Sequence, residues 1–129
     1  MQDDSILAPL NEHQRLAVTS AAPQNLVLAG AGSGKTRVLV HRIAWALQTG
    51  EASPLGILAV TFTNKASAEM RGRIEALTGR PIGGMWVGTF HNIAHRILRA
   101  HWREAGLSQH FQIIDSEDQL RVVKRVIRG

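Results

Sequence analysis

The stretch "NLVLAGAGSGKTRVLV", residues 25–40, constrains this chain more than any other. An apolar run gives way to three glycines, a lysine and a threonine, then turns apolar again. A short strand, a glycine loop ending in Gly34-Lys35-Thr36 and a following helix make a phosphate-binding loop, so the expected core is interrupted to hold a triphosphate. Glycines let successive backbone N–H groups turn inward as an anion nest, and the helix N-terminus adds partial positive charge. Ala29, Gly30, Ala31, Gly32, Ser33 and Gly34 form the expected cradle, with Ala29 where the usual pattern has its first glycine. Lys35 is expected to reach the outer phosphates, and Thr36 to place its hydroxyl on Mg²⁺, as a short oxygen ligand at a first helical turn can. The alternative, a glycine-rich turn without ligand, ignores the agreement between loop chemistry and strand-helix context.

At 129 residues, 44% hydrophobic and 19% charged, the chain suits one soluble domain with a modest core. It has no cysteine, which excludes disulfides and thiolate zinc sites and suits a reducing cytoplasm. Residues 16–34 are uncharged, but Thr19, Ser20, Pro23, Gln24, Asn25 and the glycines are poor company in a bilayer. No membrane span is expected, and Met1-Gln2-Asp3-Asp4 is acidic where a secretory signal is basic. Of the net charge of +5, residues 1–60 contribute nothing, with four basic and four acidic side chains, whereas residues 61–129 hold eleven and six. That asymmetry suggests a surface that meets phosphate, with a merely solvated basic face as the alternative.

Along the chain, residues 1–10 read as an N-terminal arm, and 11–129 as one α/β unit in which helices alternate with strands and flank a parallel sheet. Asn11 with Gln14 predicts a capping box and a helix to about Ala21. Strands are predicted at Asn25 to Ala29, Ile57 to Phe62, Met85 to Val87 and Phe111 to Ile114. The helix after the glycine loop places Val38, Leu39, Ile43, Ala46 and Leu47 on one side and stops at Gly50. Asn64 is expected to cap the next helix, Thr89 to start another, and Ser116 with Gln119 to box the last. Trp45, Trp86 and Trp102 are expected in the core.

Four segments, "LNEHQ", "AGAGSGKTRVLVHRIAW", "AVTFTNKASAEMRGRI" and "VGTFHNIAHRILR", occur in an order and approximate spacing that resemble the N-terminal motor lobe of UvrD/Rep/PcrA-type superfamily 1 DNA helicases, over nearly the whole chain. The resemblance implies an incomplete RecA-like P-loop NTPase lobe using ATP and Mg²⁺, acting on single-stranded and duplex DNA, moving 3′ to 5′, and serving mismatch and nucleotide excision repair beside other repair proteins. It implies that Gln14 recognises adenine, a task an amide suits by donating and accepting at once, although the residue also reads as a helix cap. Arg37 would lie near the nucleotide. Thr61, Thr63 and Asn64 would donate to backbone phosphates while Phe62 stacks on a base, and Thr89, Phe90 and His91 would form a second single-strand contact. By pattern alone, Phe62 could equally be core. Relatives commonly carry a small residue where this chain has Asn92.

Such motors also need an acidic pair after a buried strand. The only candidate is Asp115 in "FQIIDSED", which Glu does not follow. The resemblance therefore puts the acidic motif, the arginine fingers and the second lobe beyond Gly129, leaving a fragment not expected to unwind DNA alone. Two other readings stand: a complete small P-loop phosphotransfer protein using Asp115 for Mg²⁺ without a DNA partner, or a basic DNA-binding module with a vestigial loop. His91 and His95, four apart on one helix, lack the Glu of a His-Glu-x-x-His zinc motif.

Overall fold

The computed structural model describes residues 2–28 and 34–129, so the expected cradle residues Ala29, Gly30, Ala31, Gly32 and Ser33 lie outside the described residues. The chain divides into two units, Met1–Ile93 and Ala94–Gly129.

In the first unit, α1 (Gln2–Leu7) occupies the segment expected as an arm. Its Ile6 is fully buried, and Leu10 beyond it packs with Val18 and Val38. The capping box predicted at Asn11 and Gln14 is present and opens α2 (Glu12–Thr19). Helix α3 (Lys35–Thr49) stops at Gly50, and α4 (Asn64–Thr78) at Gly79, both with a positive φ that ends a helix at little strain. A short 3₁₀ turn, Pro54–Gly56, leads into β1 (Leu58–Thr61), and β2 (Trp86–Thr89) follows α4. The two strands pair in parallel, Leu58 opposite Trp86 through Thr61 opposite Thr89. The main core gathers Val40, Ile43 and Leu47 of α3, Ala59 of β1, Met70 and Ile74 of α4, and Ile82 and Met85 of the connection.

Several expectations are corrected. Residues 25–28 are not a strand: Leu26 and Leu28 are 85% exposed, and no strand among the described residues pairs with them. An apolar run supplies side chains for a sheet, but the ladder needs a neighbour's carbonyls and amides. Leu39 is exposed, and Val40 and Ala44 take the buried side of α3 with Val38, Ile43 and Leu47. The cap of α4 is Thr63 rather than Asn64, its hydroxyl accepting the Ala66 N–H at 3.0 Å.

The second unit carries the end of α5 (Phe90–Ala100) and α6 (Ser116–Arg128). Phe111 to Ile114 is not the expected strand, and its first carbonyl is bound by a side chain instead. Arg99 donates to the Gln109 and Phe111 carbonyls at 3.3 and 2.8 Å, and its guanidinium lies 4.4 Å from the Phe111 ring centroid. Asp115, not Ser116, caps α6, accepting the Asp118 N–H at 2.8 Å. No α6 residue is buried, and Leu120, Val123, Val126 and Ile127 are all exposed. The three tryptophans are half-buried; Trp45 packs beside Leu10, Val18 and Val38. Among the described residues, no helix is long and apolar enough to cross a membrane.

Candidate nucleotide site and nucleic-acid interface

Helix α3 begins without a side-chain cap among the described residues. Gly34, its cap, has φ 85° and offers no side chain, and the first turn contains no acidic residue. The leading N–H groups of such a helix have no internal partner, and together with the helix dipole they favour an anion. Lys35, Thr36 and Arg37 are exposed around that end. The left-handed backbone favours glycine at position 34, and a Cβ there would stand 3.1 Å from Nε2 of Gln14, close enough to push that amide aside by a few tenths of an ångström.

Gln14 takes up the capping role read in the sequence. Its Oε1 accepts the Asn11 N–H at 3.0 Å while Asn11 Oδ1 accepts the Gln14 N–H at 2.9 Å, so the cap is real. Its Nε2 is the end nearest Gly34. Gln14 and Lys35 line one cavity of about 160 Å³ with Asn11, His13 and Val38. Arg37 lines another, of about 460 Å³, together with His41 and Arg73. His41 is buried and points its Nδ1 at the Ile6 carbonyl, 2.6 Å away, which makes Nδ1 the protonated ring nitrogen.

Thr36 borders a third cavity, of about 370 Å³, shared with Thr61, Phe62, Thr63, Glu69 and Arg73. Glu69 and Arg73 join residues singled out in the sequence in lining this cavity. The available signal was spacing: Ala66, Glu69, Met70 and Arg73 recur at helical intervals and all line this cavity.

The expected nucleic-acid residues gather at the carboxyl edge of the sheet, where open α/β folds bind ligands. Two strand-to-helix junctions stand side by side there. The Phe62 and Phe90 ring centroids are 5.6 Å apart, and the residues are 89% and 61% exposed, so neither ring belongs to the core. Thr89 caps α5 by accepting the Asn92 N–H at 3.1 Å, as Thr63 caps α4. Asn92 Nδ2 donates to Asn64 Oδ1 at 2.8 Å. Neither α4 nor α5 has an acidic residue in its first turn, and Lys65 and His91 are exposed.

Thr61 differs from its neighbours in being only 8% exposed. Its hydroxyl donates to the Thr63 carbonyl at 3.0 Å and makes a close hydrogen bond with the Ser67 hydroxyl, so it braces the junction from beneath. Arg71 is likewise engaged, donating to the Met85 carbonyl at 3.2 Å. Asp115 is occupied as the α6 cap, and His95 Nε2 accepts from Arg99 at 3.0 Å. Among the described residues, no three His, Cys, Asp or Glu side chains converge as a metal centre.

Residues 10–129 match the family model described as UvrD/REP helicase N-terminal domain. The chain is 63% identical to DNA helicase II of Escherichia coli over 124 residues, which are 96% of this chain and 17% of that protein. It is 54% identical to DNA helicase II of Haemophilus influenzae over 132 residues, 99% of this chain and 18% of the relative. It is 45% identical to ATP-dependent DNA helicase PcrA of Staphylococcus epidermidis (strain RP62A) over 126 residues, 98% of this chain and 17% of the relative. The chain thus spans under a fifth of the length of these curated relatives. A match this extensive, spanning both the glycine loop and the paired junctions, means that the chain belongs to the UvrD/REP helicase N-terminal domain family.

Proposed function

We propose that this chain is the opening part of the ATP-binding lobe of a DNA helicase, a RecA-like P-loop lobe that couples nucleotide binding to a grip on single-stranded DNA. The observation that carries this reading is the single cavity bordered by Thr36, at the first turn of the loop helix, and by Phe62 and Thr63, at the first nucleic-acid junction. A change at the phosphate end of α3 therefore reaches the DNA-facing edge through one shared space.

In this reading the N–H groups of α3 and the Lys35 ammonium neutralise phosphate charge. Gln14 Nε2 donates to the adenine edge while its oxygen stays in the cap. The residues fit a triphosphate, since an uncapped helix end, a lysine and an amide meet at one cavity. Thr36 would supply a hydroxyl oxygen to hold Mg²⁺, which when bound would offset phosphate charge. Phe62 and Phe90 stack on successive bases without reading them, and the helix ends behind them hold backbone phosphates.

Movement 3′ to 5′ and service in mismatch and nucleotide excision repair are part of this proposal, carried by the resemblance of the four sequence segments, while the family and the named relatives support the helicase activity itself. The acidic pair that hydrolysis requires belongs to the rest of the longer protein, so this chain alone binds nucleotide without unwinding DNA. The deciding experiment is ATP turnover by the full-length protein with and without oligothymidylate. Stimulation by the oligonucleotide, and its loss in Lys35→Ala, is expected. Turnover indifferent to DNA, or undiminished in Lys35→Ala, would sink the proposal. Strand displacement from duplexes with a 3′ or a 5′ tail then tests direction.

A further inference from the structure

Beyond the last hydrogen-bonded pair of the sheet, the register continues in side chains. Thr61 faces Thr89 in the ladder, the residue just after each strand pairs as Phe62 with Phe90, and two positions later Asn64 pairs with Asn92 across the same separation of 28 residues. The two junctions therefore advance in step, tied once by an aromatic contact and once by an amide.

We propose that Asn92 is a positioning residue of the DNA track, orienting Asn64 for a phosphate and holding the two junctions at a fixed spacing; this rests on the DNA-binding reading above. An exposed asparagine amide turns broadly about its last torsion and presents its oxygen or its NH₂ almost indifferently. Here the Asn64 oxygen accepts from Asn92 Nδ2, which leaves the Asn64 NH₂ as the end available to a phosphate oxygen. Asn92 is itself anchored, because its main-chain N–H is held by the Thr89 hydroxyl. The donor is thus oriented before the strand arrives, and ordering it adds little to the cost of binding.

The bond also bears on the rings. Asn64 and Asn92 each lie two residues past an exposed phenylalanine, so separating the amides loosens the two junctions beyond the ladder that ends at Thr61 and Thr89, and with them the two stacking surfaces. A residue with no amide at position 92 leaves the aromatic contact as the only side-chain tie seen between these two helix starts.

The test is a double-mutant cycle in the full-length protein, reading the oligothymidylate concentration that half-saturates ATP turnover. Loss of one hydrogen bond at an exposed site predicts a rise of about three- to tenfold in Asn92→Ala, with saturated turnover and the KM for ATP unchanged. Asn64→Ala should rise similarly, and the double variant should be no worse than the more impaired single, because both remove the same tie. Asn92→Asp, which removes the donor and adds a negative charge, should rise at least as far as Asn92→Ala. Multiplying effects in the double variant, an unchanged Asn92→Ala, or a parallel rise in the KM for ATP would each overturn the assignment. Phe62→Ala separates the two levels. If it too leaves DNA dependence unchanged, the DNA-track reading itself fails; if it alone weakens DNA dependence, only the role of Asn92 is overturned.

Discussion

Phe62 and Phe90 come from strand ends that share one register, and their rings meet at 46° in water rather than in the core. An aromatic pair this exposed contributes little to folding beyond its own contact, while presenting a continuous π surface to anything that docks.

Replacing either ring by alanine should therefore separate binding from stability. Base stacking on an aromatic side chain is worth about 1–3 kcal/mol, so Phe62→Ala or Phe90→Ala should weaken oligothymidylate affinity roughly tenfold or more in the full-length protein. Unfolding free energy should change by no more than about 0.5 kcal/mol, as for other exposed positions. Fluorescence anisotropy and urea titration read the two quantities. A loss of stability without a loss of affinity would make the pair a structural contact only.

Gly34→Ala should harm the nucleotide site more than the fold. A left-handed backbone with a Cβ costs about 1–2 kcal/mol, and that Cβ would stand 3.1 Å from Gln14 Nε2. Calorimetric titration of Mg-ATP into the full-length protein should show affinity lowered by about tenfold, since displacing Gln14 would disturb the proposed adenine contact as well. Unchanged affinity would show that neither the loop backbone nor Gln14 touches the ligand.

The capping box links helix stability to nucleotide choice. Asn11→Ala removes the acceptor for the Gln14 N–H and should destabilise α2 by about 1 kcal/mol. Gln14 Oε1 keeps the main-chain N–H of residue 11, so its side chain loosens only as far as the start of α2 frays, and the preference for ATP over GTP should narrow to that extent. Turnover ratios for the two nucleotides, beside thermal midpoints, check both halves of the prediction. A destabilised variant with an unaltered ratio would confine Gln14 to capping.

Two basic residues of α4 should behave oppositely. Lys65 is exposed beside the junction, and Lys65→Ala should reduce the slope of log affinity against log salt by about 0.7 for single-stranded DNA. Arg71 donates to the Met85 carbonyl, so Arg71→Ala should lower stability by about 1 kcal/mol and leave the slope unchanged. Affinities measured across a salt series distinguish the two.

What was legible in the sequence follows from how locally each feature is determined. The Asn11 box, the glycine end of α3 and the threonine start of α5 depend on residues within one turn, and the structure contains them. The paired strands were legible because both runs find a partner in each other. Residues 25–28 and 111–114 have equally apolar sequences, but apolarity does not say which chain will complete a ladder. Helix α1 was missed because a lone short segment acquires helical stability mainly from packing, here through Ile6, and not from its own propensity. Cavities shared by Thr36 with Phe62, or by Gln14 with Lys35, join residues from different elements, and no spacing along the chain encodes them. The same holds for the Asn64–Asn92 bond, which spans 28 positions.

The contact between His41 and the Ile6 carbonyl changes what a cut near the N-terminus would mean. Trimming α1 would strip the acceptor from a buried imidazole N–H and uncover the flank of the helix that begins at Lys35. Proteolysis at the front of the chain would then register as a fall in ATP affinity, although no residue removed touches the phosphate end of α3. A segment with no chemistry of its own thus serves as a splint for the one helix whose placement the chemistry depends on.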